Sequence, residues 1–277
     1  MTDFKYSVLL PVYIKDNPEW LKIAIDSMLN QTLPPDEIVI AVDGQIGEEL
    51  ETVISEYEKS QDLFSVYRYK KNEGLGLLLR KTVPLCRNEY IARMDADDYS
   101  LPERVEKQFE VLNSNSNINV VGCNVDEFEE NIDKISMHVV LPEKPKQIAD
   151  FAKKRCPIRH PTLLFSKADV IKIGNYSDLK NAQDYELAVR MIQNGLNIYN
   201  IQQPLVLMRF NEDFYKRRGG VKYLRTIYRL KSGFLKSEYI TFLDFLVSFG
   251  GHAIVTLCPV WVRAFFYKKF LRGNRLR

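Results

Sequence analysis

Short apolar runs that end on a polar residue, each followed by a stretch of helical periodicity, constrain this chain more than any other feature. Residues 7–13 form the first run, with Pro11-Val12-Tyr13 at its end read as the start of a loop. Asn17-Pro18 has the form of an N-cap followed by proline at the first helical position. Trp20, Ile23, Ala24, Ser27 and Met28 then recur on one helical face. Residues 37–42 are again continuous and rich in β-branched side chains, stop at Asp43-Gly44, and precede a charged helical segment at about 48–59. The alternation continues through a strand at 64–69, a helix at 74–82, a strand at 90–94 and a helix opened by Pro102. Strands apolar on both faces need helices on both, so this order demands a parallel sheet of the α/β class.

In such a sheet ligands gather outside the carboxyl ends of the strands, where Tyr13, Asp43, Asn72 and Asp95 all fall. Residues 118–165 read differently: strands at 120–125 and 162–165 flank a Pro/Lys-rich stretch at 141–146, which predicts a subdomain of mixed topology. At 277 residues and 45% hydrophobic, the chain can bury a full core and is expected to form one catalytic domain with an appendage. Cys86, Cys123, Cys156 and Cys258 include no Cys-x-x-Cys pair, which argues against a zinc site or a disulfide framework and fits a reducing cytoplasm. The apolar stretch near the N-terminus, about five residues long, is too short for a signal peptide.

The net charge of +3 conceals an asymmetry. Residues 216–277 carry 14 Lys or Arg against Glu238 and Asp244, a balance of +12 that leaves −9 for residues 1–215. An acidic body is not a nucleic-acid binder, so no nucleic acid is expected as partner. The basic tail is interleaved with Phe, Leu, Ile, Trp and Tyr, a composition suited to a membrane surface with anionic head groups. Residues 239–267 are apolar, but Asp244, Gly250-Gly251-His252 and Pro259 interrupt a run that needs ~20 residues to span a bilayer. A monotopic attachment at the cytoplasmic face of the membrane is therefore expected; the alternative is a C-terminal helical hairpin packed on the domain.

Asp95, Asp97 and Asp98 lie within four residues directly after a strand, where three carboxylates repel one another unless a cation compensates them. Hard divalent cations such as magnesium or manganese bind one or two carboxylates together with substrate phosphates, so the loop is a candidate holder of a nucleotide diphosphate. No glycine-rich P-loop is present to do this otherwise. The alternative is a solvated turn in which Asp98 or Ser100 caps the helix opened by Pro102.

Residues 7–13, Asp43-Gly44, Asn72-Glu73-Gly74-Leu75-Gly76, Arg93-Met94-Asp95-Ala96-Asp97-Asp98, His160-Pro161-Thr162 and Gln183-Asp184-Tyr185-Glu186-Leu187 occur in the order and spacing of family-two glycosyltransferases. The resemblance covers roughly residues 5–220. Within the family the chain resembles bacterial enzymes that build capsular and exopolysaccharide repeats, of the amylovoran-biosynthesis type, including residues 215–220.

The resemblance implies a GT-A fold over residues 1–215, with a Rossmann-like, mostly parallel central sheet. A nucleotide-sugar half would occupy about 1–117 and an acceptor half about 118–215, with a helical, membrane-associating extension at 216–277. It also implies inversion of a nucleoside-diphosphate sugar, usually a UDP-hexose. Pro11, Val12, Tyr13, Asp43, Asn72, Gly74, Asp95, Ala96 and Asp97 would bind the donor, with Asp95 and Asp97 holding Mn2+ or Mg2+.

An inverting transfer needs one base to take the acceptor hydroxyl's proton. Asp184 matches the acidic residue of the family's Glu-Asp motif, with Gln183 in place of the usual Glu; its alternative is a helix N-cap. His160, Arg217 and Arg218 are expected at the acceptor or its phosphates, a saccharide or polyprenyl-diphosphate-linked saccharide. Two positions depart from the family pattern. Val42 stands where many relatives carry the first of two acids, and Leu79-Arg80 where they often carry Arg-Asn. No Gln-x-x-Arg-Trp signature of processive relatives follows Asp184, so one sugar per acceptor is expected.

Two competing readings are weaker. A sugar-phosphate nucleotidyltransferase would carry a Gly-rich phosphate loop after the first strand, and residues 11–17 contain no glycine. A catalytically degenerate, membrane-bound scaffold would not need the intact acidic cluster and Asp184.

Overall fold

The structure is a computed structural model, and it describes residues 4–60, 62–210 and 218–266. Strand β1 (Tyr6–Val12) is buried along its whole length, as is β2 (Glu37–Asp43), because helices cover both faces of the sheet. These strands pair in parallel with each other, with β3 (Phe64–Tyr69) beyond β2 and with β4 (Tyr90–Arg93) beyond β1. The sheet then turns mixed: β8 (Leu164–Ser166) runs antiparallel to β4, β6 (Val120–Phe128) antiparallel to β8, and the long β9 (Ile198–Arg209) parallel to β6. The strand order is β3-β2-β1-β4-β8-β6-β9-β5, where β5 is the two-residue strand Tyr99–Ser100, with β7 (Ile135–Val139) paired to β6 as a hairpin. One sheet therefore carries both the parallel segment and the mixed segment predicted from residue 118 onward.

Helix α1 (Pro18–Leu29) begins as predicted: the Asn17 side chain accepts hydrogen bonds from the N–H groups of Glu19 and Trp20. Its inward stripe is displaced from the predicted one. Leu21, Ala24, Ile25 and Met28 are fully buried while Ile23 is 40% exposed, since spacing by three and four residues fits both stripes and packing into the core shared with β1, β2 and α2 selects one. Helices α2 (Glu48–Ser60) and α3 (Leu75–Thr82) follow β2 and β3 on opposite faces of the sheet.

The predicted start of the next helix needs correction. Pro102 sits in a turn, its carbonyl accepting from Thr32 N–H at 2.8 Å, and α4 runs over Arg104–Ser114. Between the acidic cluster and that turn lies a two-residue strand, β5 (Tyr99–Ser100), antiparallel to β9. Neither Asp98 nor Ser100 caps α4: Asp98 accepts from the Arg209 N–H, and the Ser100 hydroxyl accepts from Gln31.

The second half holds α5 (Pro145–Ala152), which begins at the end of the Pro/Lys-rich stretch, the short α6 (Lys167–Lys172), and α7 (Gln183–Gln193). Two C-terminal helices, α8 (Gly220–Lys236) and α9 (Phe242–Leu257), form a hairpin on this half, followed by α10 (Val260–Phe266). Leu230 and Phe234 of α8 pack with Ala152, Tyr185 and Val189, so the hairpin alternative describes how the extension is docked. Asp244 does not interrupt α9 but caps it, in a reciprocal box with Thr241. Gly250, Gly251 and His252 lie within α9, and Pro259 follows its end. Among the described residues no helix is long and apolar enough to cross a membrane. The outer face of α9 leaves Phe242, Leu243, Leu246, Val247, Ile254 and Leu257 exposed, and Trp261 beyond it is 76% exposed.

Candidate functional site

The carboxyl ends of β1, β2 and β4 and the loop after β3 meet at one edge of the sheet, and each contributes a polar group held from a distance in sequence. At the end of β2, Asp43 is 5% exposed and its carboxylate is shared between two backbone donors, Glu73 N–H at 2.9 Å and Gly74 N–H at 3.0 Å. The Asn72 side chain donates to the Asp43 carbonyl at 3.1 Å. Gly44 makes this closure possible: its φ is +86°, and a Cβ there would lie 2.7 Å from the Asn72 nitrogen. Asp43, Asn72 and Gly74, all expected at the donor, thus form one interlocked turn, with Asn72 exposed on it.

After β1 the chain makes a tight turn in which Tyr13 N–H donates to Asp16 at 2.8 Å. The side chain of Val12 is buried in the core and Pro11 is a strand residue paired opposite Ala41, so these two offer a ligand chiefly their backbone; Tyr13 is partly exposed. Asp16 was not singled out from the sequence. Burial, with the charges of Asp97 and Asp95 adding to it, pushes its carboxyl up to about 7, so a fourth acid belongs to the field of the acidic cluster.

The acidic loop continues β4 with side chains alternating inward and outward. Met94, Ala96 and Asp98 are buried, while Asp95 and Asp97 are half-buried. Ala96 packs into the hydrophobic core, so a donor would meet its backbone. Asp95 forms an ion pair with the fully buried Arg93. Asp98 accepts from Arg209 N–H at 2.8 Å through one oxygen, and its other oxygen, Oδ2, is buried without a partner. Burial, then the neighbouring Asp97 and Asp95, hold the Asp98 carboxyl well above the usual range.

One carboxylate oxygen from each of Asp95, Asp97 and Asp98 lies within 4.8 Å of the others. This all-oxygen donor set, with one buried oxygen left unsatisfied, fits a hard divalent cation.

On the other side of the crevice, Asp184 is the second residue of α7. The N-cap is Ala182, so the N-cap alternative for Asp184 does not describe this helix. One Asp184 oxygen accepts from its neighbour's Tyr185 N–H at 2.8 Å, and the other lies 3.8 Å from the Cys156 thiol, which burial keeps protonated. His160 lies in a 3-10 turn (His160–Thr162), is 7% exposed, and its Nε2 is 2.8 Å from the Tyr176 hydroxyl. Burial, reinforced by Arg93, pushes the imidazole well below its usual range, so it is neutral and offers phosphate no charge. Burial pushes the Tyr176 hydroxyl well above its usual range, with Arg93 opposing and Asp184 and Asp95 adding to the shift. Arg218 is half-buried and acts on the Cys156 thiol beside Asp184; Arg217 lies outside the described residues.

Asp16, Arg93, Tyr176 and Arg209 are the members of the site that the sequence alone did not single out. Arg93 stood in the quoted acidic motif, and a buried arginine immediately before three acids is a signal that was available. Tyr176 and Arg209 carry no such signal, since only the folded chain brings them to the cluster.

Residues 7–172 match the sequence profile described as Glycosyl transferase family 2. A UDP-Gal:alpha-D-GlcNAc-diphosphoundecaprenol beta-1,3-galactosyltransferase of Escherichia coli is 33% identical over 268 residues, which cover 97% of each chain. The amylovoran biosynthesis glycosyltransferase AmsE of Erwinia amylovora is 33% identical over 272 residues, 97% of this chain and 100% of its own. Among solved structures, S. aureus TarS 1–349 in complex with UDP-GlcNAc is similar with a TM-score of 0.70 at 14% identity, over 97% of this chain and 76% of that one. At that identity the likeness shows the fold, and the fold is the expected GT-A arrangement of a mostly parallel sheet flanked by helices, with C-terminal helices following it.

Proposed function

Because this chain belongs to glycosyltransferase family 2, we propose that it moves one sugar per acceptor, with inversion, from a UDP-hexose to a saccharide carried on a polyprenyl diphosphate, in bacterial surface polysaccharide synthesis. The observation that carries the reading is the cluster of carboxylate oxygens from Asp95, Asp97 and Asp98 within 4.8 Å of one another, able to hold a diphosphate through a cation; among the described residues Asp184 stands apart from any such cluster. The names of the relatives support the acceptor class, since the E. coli enzyme's names a GlcNAc-diphosphoundecaprenol.

In this reading Asp95 and Asp97 hold Mn2+ or Mg2+, which when bound neutralises the developing charge on the departing diphosphate. The Asp43 turn and residues 11–13 receive the nucleoside. Asp184 accepts the proton of the acceptor hydroxyl as its oxygen bonds to the sugar's C1, while the bond from C1 to the phosphate oxygen breaks and UDP leaves. Arg217 and Arg218 meet the acceptor's phosphates. His160, neutral and bonded to Tyr176, shapes the acceptor side without supplying charge.

The enzyme works as a peripheral protein on the cytoplasmic face of the membrane, its lipid-linked acceptor lying in the same surface. The exposed apolar side chains of α9 and the basic balance of residues 216–277 support this placement.

The test is transfer from a panel of UDP-sugars to a short-chain polyprenyl-diphosphate-linked GlcNAc, with Mn2+ present and the product's anomeric configuration read by NMR. A single added sugar of inverted configuration is expected. Retention overturns the single-displacement chemistry, and no transfer from any UDP donor overturns the proposed substrates.

A further inference from the structure

The chain reaches Arg209 at the end of β9, more than a hundred residues after the acidic loop, and turns that residue's backbone N–H, Nε and Nη1 toward the loop or the segment beside it. Arg209 N–H donates to Asp98 Oδ1 at 2.8 Å, and its Nε donates to the Asp97 carbonyl at 3.3 Å. Its Nη1 donates to the carbonyls of Glu129 at 3.1 Å and Glu130 at 3.3 Å, in the turn after β6. The guanidinium carbon lies 4.2 Å from the Trp20 ring centroid and 4.5 Å from that of Phe128. Trp20 belongs to the first turn of α1, which opens directly after the Tyr13–Asp16 turn on the donor side. One side chain thus joins the acidic loop, the first helix and the β6–β7 segment. Pairing of Tyr99 with Leu207 and Ser100 with Val206 fastens the other end of the loop to the same strand.

We propose that Arg209 is a positioning residue that holds the Asp97-Asp98 segment in the geometry that binds the divalent cation, a role resting on the metal reading above. A planar fork suits the task because its edge donors meet carbonyls that diverge while its faces are covered by rings; a lysine ammonium has neither property. The competing account is electrostatic: a cation beside acids could act only as their counter-charge. The two accounts predict opposite signs. Removing a counter-charge tightens binding of a divalent cation, whereas removing a clamp weakens it.

Mn2+ binding to the full chain is measured from the electron paramagnetic resonance signal of free Mn2+, with UDP present, for wild type, Arg209→Lys, Arg209→Met and Trp20→Leu. Arg209→Lys keeps the charge and loses the fork, so the dissociation constant for Mn2+ is expected to rise roughly tenfold, the scale of one charge-assisted hydrogen bond. Arg209→Met is expected to rise by at least as much, and Trp20→Leu, which uncovers one face, by about threefold. Wild-type affinity in Arg209→Lys, or tighter binding in Arg209→Met, overturns the proposal. Should both Arg209 variants fail to fold by circular dichroism, Trp20→Leu decides, with unchanged affinity counting against the clamp. Absence of Mn2+ binding in the wild type is a different result: it removes the metal reading itself, and the role of Arg209 with it.

Discussion

Asp43, Asp95 and Asp98 on the donor side and Asp184 on the acceptor side are fixed in different ways. Asp43 is held by backbone donors 30 and 31 residues away, Asp98 by one 111 residues away, and Asp95 by a fully buried arginine. Among the described residues, Asp184 has the N–H of the next residue and a long contact to a thiol. Carboxylates pinned by distant strands suit a ligand that must be gripped in one geometry, and an acid left with open lone pairs suits a group that must take up a proton. The acceptor side is instead braced one residue further on. Lys231 of α8, fully buried, donates to Tyr185 Oη at 2.6 Å and to the carbonyls of Lys153 at 3.0 Å and Lys154 at 3.2 Å.

The widest separation between the two sides comes from Asp184→Asn. Turnover is expected to fall by roughly 10² to 10⁴-fold, the usual share of a general base, while UDP binding by calorimetry stays within about twofold of wild type. Loss of UDP binding in this variant would erase the distinction. Asp43→Ala leaves the Glu73 and Gly74 N–H groups without their acceptor. Donor KM should rise about tenfold and stability fall by about 1–3 kcal/mol in urea unfolding, with kcat at saturating donor little changed.

The brace is tested by pH. Burial pushes the Lys231 ammonium down to about 7, against an unfolded value of about 10.4. Between these values the unfolded chain holds a proton that the folded chain lacks, so this residue's contribution to stability rises with pH and is flat below 7. In Lys231→Met that component vanishes: the stability of wild type relative to the variant should climb by about 1.4 kcal/mol per pH unit from pH 7 to 9. A pH-independent difference would show that Lys231 is not buried as a titrating group. The smallest effect belongs to Tyr176→Phe, which removes the partner of His160 and should cost about 1 kcal/mol with a few-fold loss of kcat/KM.

The same contrast explains what was legible in the sequence. β1 and β2 announce themselves because a strand buried on both faces must be apolar throughout, and the residue that ends each run marks the crevice. The acceptor half offers weaker signals. α5 buries only Ile148 and Ala152 and hides behind prolines and lysines, and β5 is two residues long, existing through its pairing with β9. Pro102 suggested a helix start two residues early, because proline is equally at home in the turn that the β5–β9 pairing creates. The acids of the cluster could be read as a group from adjacency alone. Asp16 and Arg209 could not, since their approach to that cluster is a product of the sheet order.

The central claim, that the acidic cluster is a cation-dependent nucleotide-diphosphate site, is tested most directly by calorimetric titration of UDP into the full chain with and without Mn2+, for wild type and Asp97→Ala. The account predicts binding that requires Mn2+ in the wild type and is lost in Asp97→Ala, with circular dichroism unchanged. UDP binding of equal strength without Mn2+, or binding that survives Asp97→Ala, would contradict it.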